Sequence, residues 1–224
     1  MKPAFSLCVY CGSRPGTLPN YTQTATEVGQ WIGAHHGQLV YGGGSQGLMG
    51  TVARSAKSSG ARVVGVIPHA LAAKETANES CDELHMVDKM HQRKFMMAER
   101  ADAFLALPGG IGTFEELFEV WTWRQLAFHN KPIGLLNVDG YYDGLISFMQ
   151  NTVNNGFVSD WQMDFVFIST KSEELLPRLV EAAGLSVSPG LRRIWWRQLA
   201  THPTSISLQI FKQLIRLFRP CECG

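Results

Sequence analysis

Short apolar runs alternate with longer amphipathic ones along most of this chain, and that alternation restricts the folds open to it. The apolar runs cover residues 5–10, 38–41, 62–67, 103–107, 133–137 and 164–168. The amphipathic runs cover 19–35, 47–59, 89–100, 113–128, 141–155 and 172–183. Strands that alternate with helices pack as a parallel sheet covered on both faces. A run such as Val63-Val64-Gly65-Val66-Ile67 has no polar side, as a strand buried on both faces requires. The fold class is therefore α/β, a Rossmann-like, doubly wound parallel sheet. The segment from Pro68 to Asp82 has weak periodicity and reads as a loop with at most a short helical turn. Ligands of such sheets bind beyond the C-terminal strand ends. Three turns fall there: Cys11-Gly12-Ser13, Gly42 to Gly47, and residues 108–113. They are expected to converge on one crevice.

The 224 residues suit one large domain or a domain with an extension. A net charge of +1 argues against a general nucleic-acid binder. The total conceals an asymmetry, because residues 1–184 carry 14 Lys and Arg against 18 Asp and Glu, while residues 185–224 carry six basic residues and only Glu222. The expected division is a Rossmann-like domain over 1–184 and a basic helical extension over 185–224. A linker over 185–190 leads to two candidate helices, 191–200 and 205–219, with Trp195, Trp196 and an apolar stripe from Ile210 to Phe218. Packing of these helices on the body or a partner is favoured over contact with an anionic membrane surface. The N-terminal apolar run is too short for a signal peptide, and no stretch approaches the ~18 apolar residues of a membrane span. Five cysteines without disulfide-like spacing fit a reducing cytoplasm. Cys8-Val-Tyr-Cys11 reads as a buried strand cysteine followed by a turn cysteine rather than a redox or metal pair. The seven histidines show no ligand spacing that compels a metal site.

Three segments carry the chemistry. Leu107-Pro108-Gly109-Gly110-Ile111-Gly112-Thr113-Phe114-Glu115-Glu116 joins a strand to a helix. Backbone N–H groups in such a turn face an anion, and the helix N-terminus adds partial positive charge. Two acids on the first helical turns would repel a phosphate. They diverge by about 100°, so only one of them is expected to face the ligand, leaving the other to stabilise the helix dipole. The second segment, Gly42-Gly43-Gly44-Ser45-Gln46-Gly47, has dinucleotide-fingerprint spacing, but no suitably placed acid follows the next strand to hold a ribose. It reads as a turn whose backbone approaches a ligand. The third, Met90-His91-Gln92-Arg93-Lys94, opens a helix; adjacent Arg and Lys point different ways and can address different ligand groups.

Together, residues 42–50, Met-His-x-Arg-Lys at 90–94 and Pro-Gly-Gly-x-Gly-Thr-x-x-Glu at 108–116 resemble the signature set of the LOG (Lonely Guy) family. The similarity runs from Cys8 to about Ala183 and includes Lys131 to Asn137 and Asp139-Gly140-Tyr141-Tyr142. The resemblance implies a nucleoside-5′-monophosphate phosphoribohydrolase, acting on a cytokinin riboside 5′-monophosphate or AMP, without cofactor or metal. It implies catalytic roles for Arg93 and Glu116. On the resemblance, substrate contacts would come from Glu75, Lys94, Gly110, Ile111, Gly112 and Thr113, and the backbone approach of the 42–47 turn adds Gly43, Gly44 and Ser45. The resemblance also implies a homodimer or higher assembly with the 89–100 and 113–128 helices near the interface. The alternative is a nucleotide-binding or carrier module without turnover. The family has also been labelled a lysine decarboxylase. That chemistry calls for a pyridoxal group on a Schiff-base lysine, and no second phosphate-anchored ring site is evident in the sequence.

Overall fold

The computed structural model describes residues 2–72, 76–78 and 80–186. The expected extension beyond 186, with its linker and its two helices, lies outside the described residues.

Seven parallel strands form one sheet in the order β4-β3-β2-β1-β5-β6-β7. They are β1 (Ser6–Tyr10), β2 (Gln38–Tyr41), β3 (Arg62–Pro68), β4 (Glu83–Val87), β5 (Ala103–Ala106), β6 (Ile133–Leu136) and β7 (Val166–Ser169). The helices are α1 (Pro19–Ala34), α2 (Gly47–Ser58), α3 (His69–Ala72), α4 (Met90–Glu99), α5 (Ile111–Gln125), α6 (Asp143–Asn154), α7 (Asp160–Met163) and α8 (Ser172–Ala182). All five residues of β1 are buried. Their side chains alternate across the sheet as strand geometry requires. Leu7 and Val9 join one core with Ile32, Val52 and Leu179 from α1, α2 and α8. Cys8 and Tyr10 join the other with Met97, Leu117 and Met149 from α4, α5 and α6. Cys11 falls in the first core and Cys8 in the second, so the sheet itself separates the two thiols. Burial pushes both thiols well up from the ordinary cysteine range, and the nearby Glu116 charge adds to it.

The sequence reading misses β4. This edge strand is only partly buried along Glu83 to Met86, so its polar residues interrupt any apolar run. Arg62 pairs with Glu83 across the β3–β4 edge, and Val63 N–H donates to Asp82 Oδ2 at 2.8 Å. The last strand starts at Val166 rather than 164, because Ser159 and Gln162 form a capping box on the short α7. α5 begins at Ile111, two residues before the expected start, with Gly110 as its N-cap, and ends by Leu126; Ala127, at φ +60°, turns the chain away.

α1 and α2 approach closely through glycines. A Cβ on Gly29 would lie 2.7 Å from Ala56 N and Val52 O. Gly29→Val is expected to cost about 1–3 kcal/mol through overpacking. Urea denaturation should show a lower midpoint at unchanged slope.

Candidate active site

The three turns meet where β1 lies between β2 and β5, the point at which the strand order reverses. Gly12 N–H donates to Pro108 O at 3.0 Å, and Leu48 N–H donates to Gly12 O at 3.0 Å. Beside them opens a cleft of about 380 Å³ lined by Ser13, Arg14, Tyr21, Gly109, Gly110 and Tyr141 among others. Gly110, the N-cap of α5, lies at its edge. Gly110, Ile111 and Gly112 are exposed, and Ile111 is 85% exposed, which is unusual for an isoleucine. The N–H groups of a first turn have no acceptor within the helix and carry its positive dipole end. Thr113 is buried, with its Oγ1 set so closely against Gly109 that a Cβ there would collide with it. Two tyrosines fix the same loop. Tyr141 OH donates to Gly109 O, and Tyr142 OH donates to Leu107 O at 2.7 Å. Asn137 holds this pair in place, accepting from Tyr142 N–H at 2.7 Å and donating to Asp143 at 2.7 Å.

Arg93 on α4 and Glu116 on α5 face each other, and neither lines this cleft. Arg93 comes from the first turn of α4 and is 7% exposed. Its Nε donates to Val66 O at 3.0 Å and its Nη2 to Gly42 O at 3.2 Å. Its Nη1 lies 3.3 Å from Glu116 Oε1, and the Glu116 side chain is only 12% exposed. A Cβ on Gly42 would collide with the Arg93 guanidinium, so this turn needs glycine for close approach. The paired cation and carboxylate sit in a low-dielectric setting. Tyr10, close by and fully buried, has its ionisation pushed up first by burial and further by the charge of Glu116.

Lys94 points away from Arg93, as expected of neighbours on a helix. Its Nζ pairs with Glu115, and with Glu119 Oε1 at 2.8 Å. Burial pulls the ammonium down, but the two carboxylates outweigh it and hold it above the ordinary lysine range. Glu115 therefore contributes an ion pair between α4 and α5, beyond the dipole role read from sequence.

Gly43, Gly44 and Ser45 do not line the cleft. Gly43 and Gly44 are buried beneath the segment 76–78. Asn78 N–H donates to Gly43 O at 2.9 Å, Ser45 N–H donates to Thr76 O at 3.0 Å, and Gly44 bridges Ala77. Glu75 lies outside the described residues. The sequence reading stopped at Ser13 in the first turn and missed Arg14; it quoted Tyr141 without a role. The turn residues around both, Pro15-Gly16 and Asp139-Gly140, were the available signals.

Arg93→Met would remove the cation facing Glu116 and the donors to Val66 and Gly42. It is expected to cost about 3–5 kcal/mol. The double variant Arg93→Met/Glu116→Gln should recover part of that, with a coupling of about 0.5–3 kcal/mol in a four-protein denaturation cycle.

The fold recurs in solved structures. The molybdenum cofactor carrier protein of Chlamydomonas reinhardtii superposes with a TM-score of 0.62 at 19% identity, over 82% of this chain and 99% of that one. The molybdenum cofactor binding protein of Rippkaea orientalis gives 0.59 at 22% identity, over 81% and 97%. At these identities the likeness concerns the fold. Sequence comparison reaches further. A family described as "Possible lysine decarboxylase" matches residues 49–179. A probable cytokinin riboside 5′-monophosphate phosphoribohydrolase of Oryza sativa subsp. japonica is 46% identical over 181 residues, 81% of this chain and 79% of its own. A cytokinin riboside 5′-monophosphate phosphoribohydrolase of Arabidopsis thaliana is 46% identical over 177 residues, 79% of this chain and 82% of its own. The matched region carries the Arg93–Glu116 pair and the loop that opens α5, and the chain belongs to the LOG family of phosphoribohydrolases.

Proposed function

We propose that this protein hydrolyses the N-glycosidic bond of a purine-type nucleoside 5′-monophosphate, releasing free base and ribose 5-phosphate. A cytokinin riboside 5′-monophosphate and AMP are the candidate substrates. The observation that carries the reading is the buried Arg93–Glu116 pair one turn beyond the exposed N-terminus of α5. A site that only binds an anion gains nothing from a carboxylate held so near it. A glycosidase needs one, because breaking the C1′–N bond builds positive charge on the ribose ring.

In this reading the 5′-phosphate rests on the N–H groups of Gly110, Ile111, Gly112 and Thr113, with the Thr113 hydroxyl beside them. Binding energy from that remote group places C1′ against Glu116. Glu116 stabilises the oxocarbenium-like transition state and takes a proton from the attacking water. The C1′–N electron pair leaves with the base, the water oxygen ends on C1′, and the proton taken up by Glu116 passes on to the departing base. Arg93 orients the Glu116 carboxylate, and its own position is fixed by the carbonyls of Val66 and Gly42. Lys94 braces α4 against α5 through Glu115 and Glu119. Gly43, Gly44 and Ser45 support the site through the 76–78 strap, and Glu75, beside Thr76, is assigned a substrate contact on the family resemblance alone. Lys94 does not fit Schiff-base chemistry, since an amine nucleophile must lose its proton and this one is held charged by two acids.

The assembly we infer is a homodimer. Phe95 on α4 and Phe128 after α5 are 61% and 74% exposed around a second cleft of about 460 Å³ that also takes in Trp123 and Lys131. Apolar surface of this kind supports association with a second copy. Sedimentation analysis should give a dimer mass for the wild type and a monomer for Phe128→Asp.

Free-base release from AMP and N6-isopentenyl-AMP, followed by chromatography, tests the activity. Glu116→Gln is expected to lower kcat by about 100-fold or more, the scale of general acid–base assistance, with KM little changed. Nucleotide binding without base release in the wild type would overturn the hydrolase and leave the carrier reading.

A further inference from the structure

The first turn of α5 offers a phosphate neutral donors and about half a positive charge. A phosphate monoester brings roughly −1.5 to −2 at pH 7, so full recognition calls for a cation in the same cleft. The two cations of the 90–94 segment are committed elsewhere: Arg93 to Val66, Gly42 and Glu116, and Lys94 to Glu115 and Glu119. Among the described residues lining the cleft, Arg14 is the one charged side chain. It is exposed, and among the described ion pairs none involves it.

Its backbone, by contrast, is tightly held. Gly12 sits so close to Gly109 that a Cβ there would lie 3.4 Å from the Gly109 Cα and 2.9 Å from Arg14 O. A Cβ on Gly47 would collide with the Ser13–Arg14 peptide. The following Pro15 restricts Arg14 to extended backbone, and Gly16, at φ +76°, folds the chain back under the Tyr21 ring. The attachment point is fixed beside the phosphate loop, while among the described residues no ion pair or side-chain hydrogen bond takes up the guanidinium. A planar fork of donors in that position matches the oxygens of a phosphate.

We propose that Arg14 selects the phosphorylated substrate, closing its guanidinium over a 5′-phosphate seated on the first turn of α5. This rests on the proposed phosphoribohydrolase reading for its substrate, and it concerns specificity rather than bond breaking. The loss on removing Arg14 should therefore sit in KM and not in kcat.

The test compares wild type with Arg14→Gln in two measurements. Calorimetric binding of ribose 5-phosphate needs no turnover, and its Kd should weaken about 10–100-fold, the scale of a charged hydrogen-bonding group. Steady-state release of adenine should show KM for AMP raised by a similar factor, with kcat within about threefold. The preference for AMP over adenosine in kcat/KM should shrink accordingly. Thermal melting should not change, since the side chain is exposed. A Kd for ribose 5-phosphate unchanged in Arg14→Gln would overturn the proposal. A wild type that binds ribose 5-phosphate but releases no base would instead count against the hydrolase reading, and the binding comparison would still decide the role of Arg14.

Discussion

One buried guanidinium ties the catalytic end of this sheet together. Arg93 draws the carbonyl at the end of β3, the carbonyl of the glycine turn after β2 and a carboxylate from α5 onto a single planar group. Burying a charge is costly, and only good geometry with further hydrogen bonds offsets the cost. Here the two carbonyls and the carboxylate supply both. Because three separate segments converge on it, Arg93 converts the sheet topology into a defined position for Glu116. That makes it a positioning residue as much as an electrostatic one.

The glycines around the site have the complementary task of admitting close contacts. Gly42 leaves room for the Arg93 head group, and Gly109 leaves room for the Thr113 hydroxyl. Glycine-rich turns at strand ends are commonly credited to the ligand. In this protein much of their work is internal: Gly43 and Gly44 lie under the 76–78 strap, and their peptide groups bond to that strap rather than facing the cleft.

The sheet was legible in the sequence because burial on both faces leaves its inner strands with long apolar runs. Val63 to Ile67 and Ala103 to Leu107 can be little else. β4 escaped because an edge strand answers to one packed neighbour and keeps polar residues such as Glu83, which pairs with Arg62 of β3, and His85. The Arg93–Lys94 and Glu115–Glu116 pairs were legible as chemistry, and helix geometry correctly foretold that members of each pair point apart. Which partner each would take was not legible, since the approach of α4 to α5 is decided by packing from the whole second core. Arg14 was hidden for a related reason. Nothing local distinguishes an arginine in a turn from a solvated one until Gly12 and Gly47 are seen to clamp its backbone beside Gly109.

The two tyrosine hydroxyls that hold the turn before α5 have a consequence for how such a turn can be used elsewhere. Tyr141 and Tyr142 bond to carbonyls at positions 109 and 107, more than thirty residues earlier in the chain. The shape of the loop is thus written partly in the turn after β6. Grafting residues 107–116 onto another strand–helix junction would carry over the glycines, the threonine and the acid, but not the struts that set their angle. A faithful transplant would have to include Asn137 to Asp143 as its second half, a two-part cassette rather than a motif.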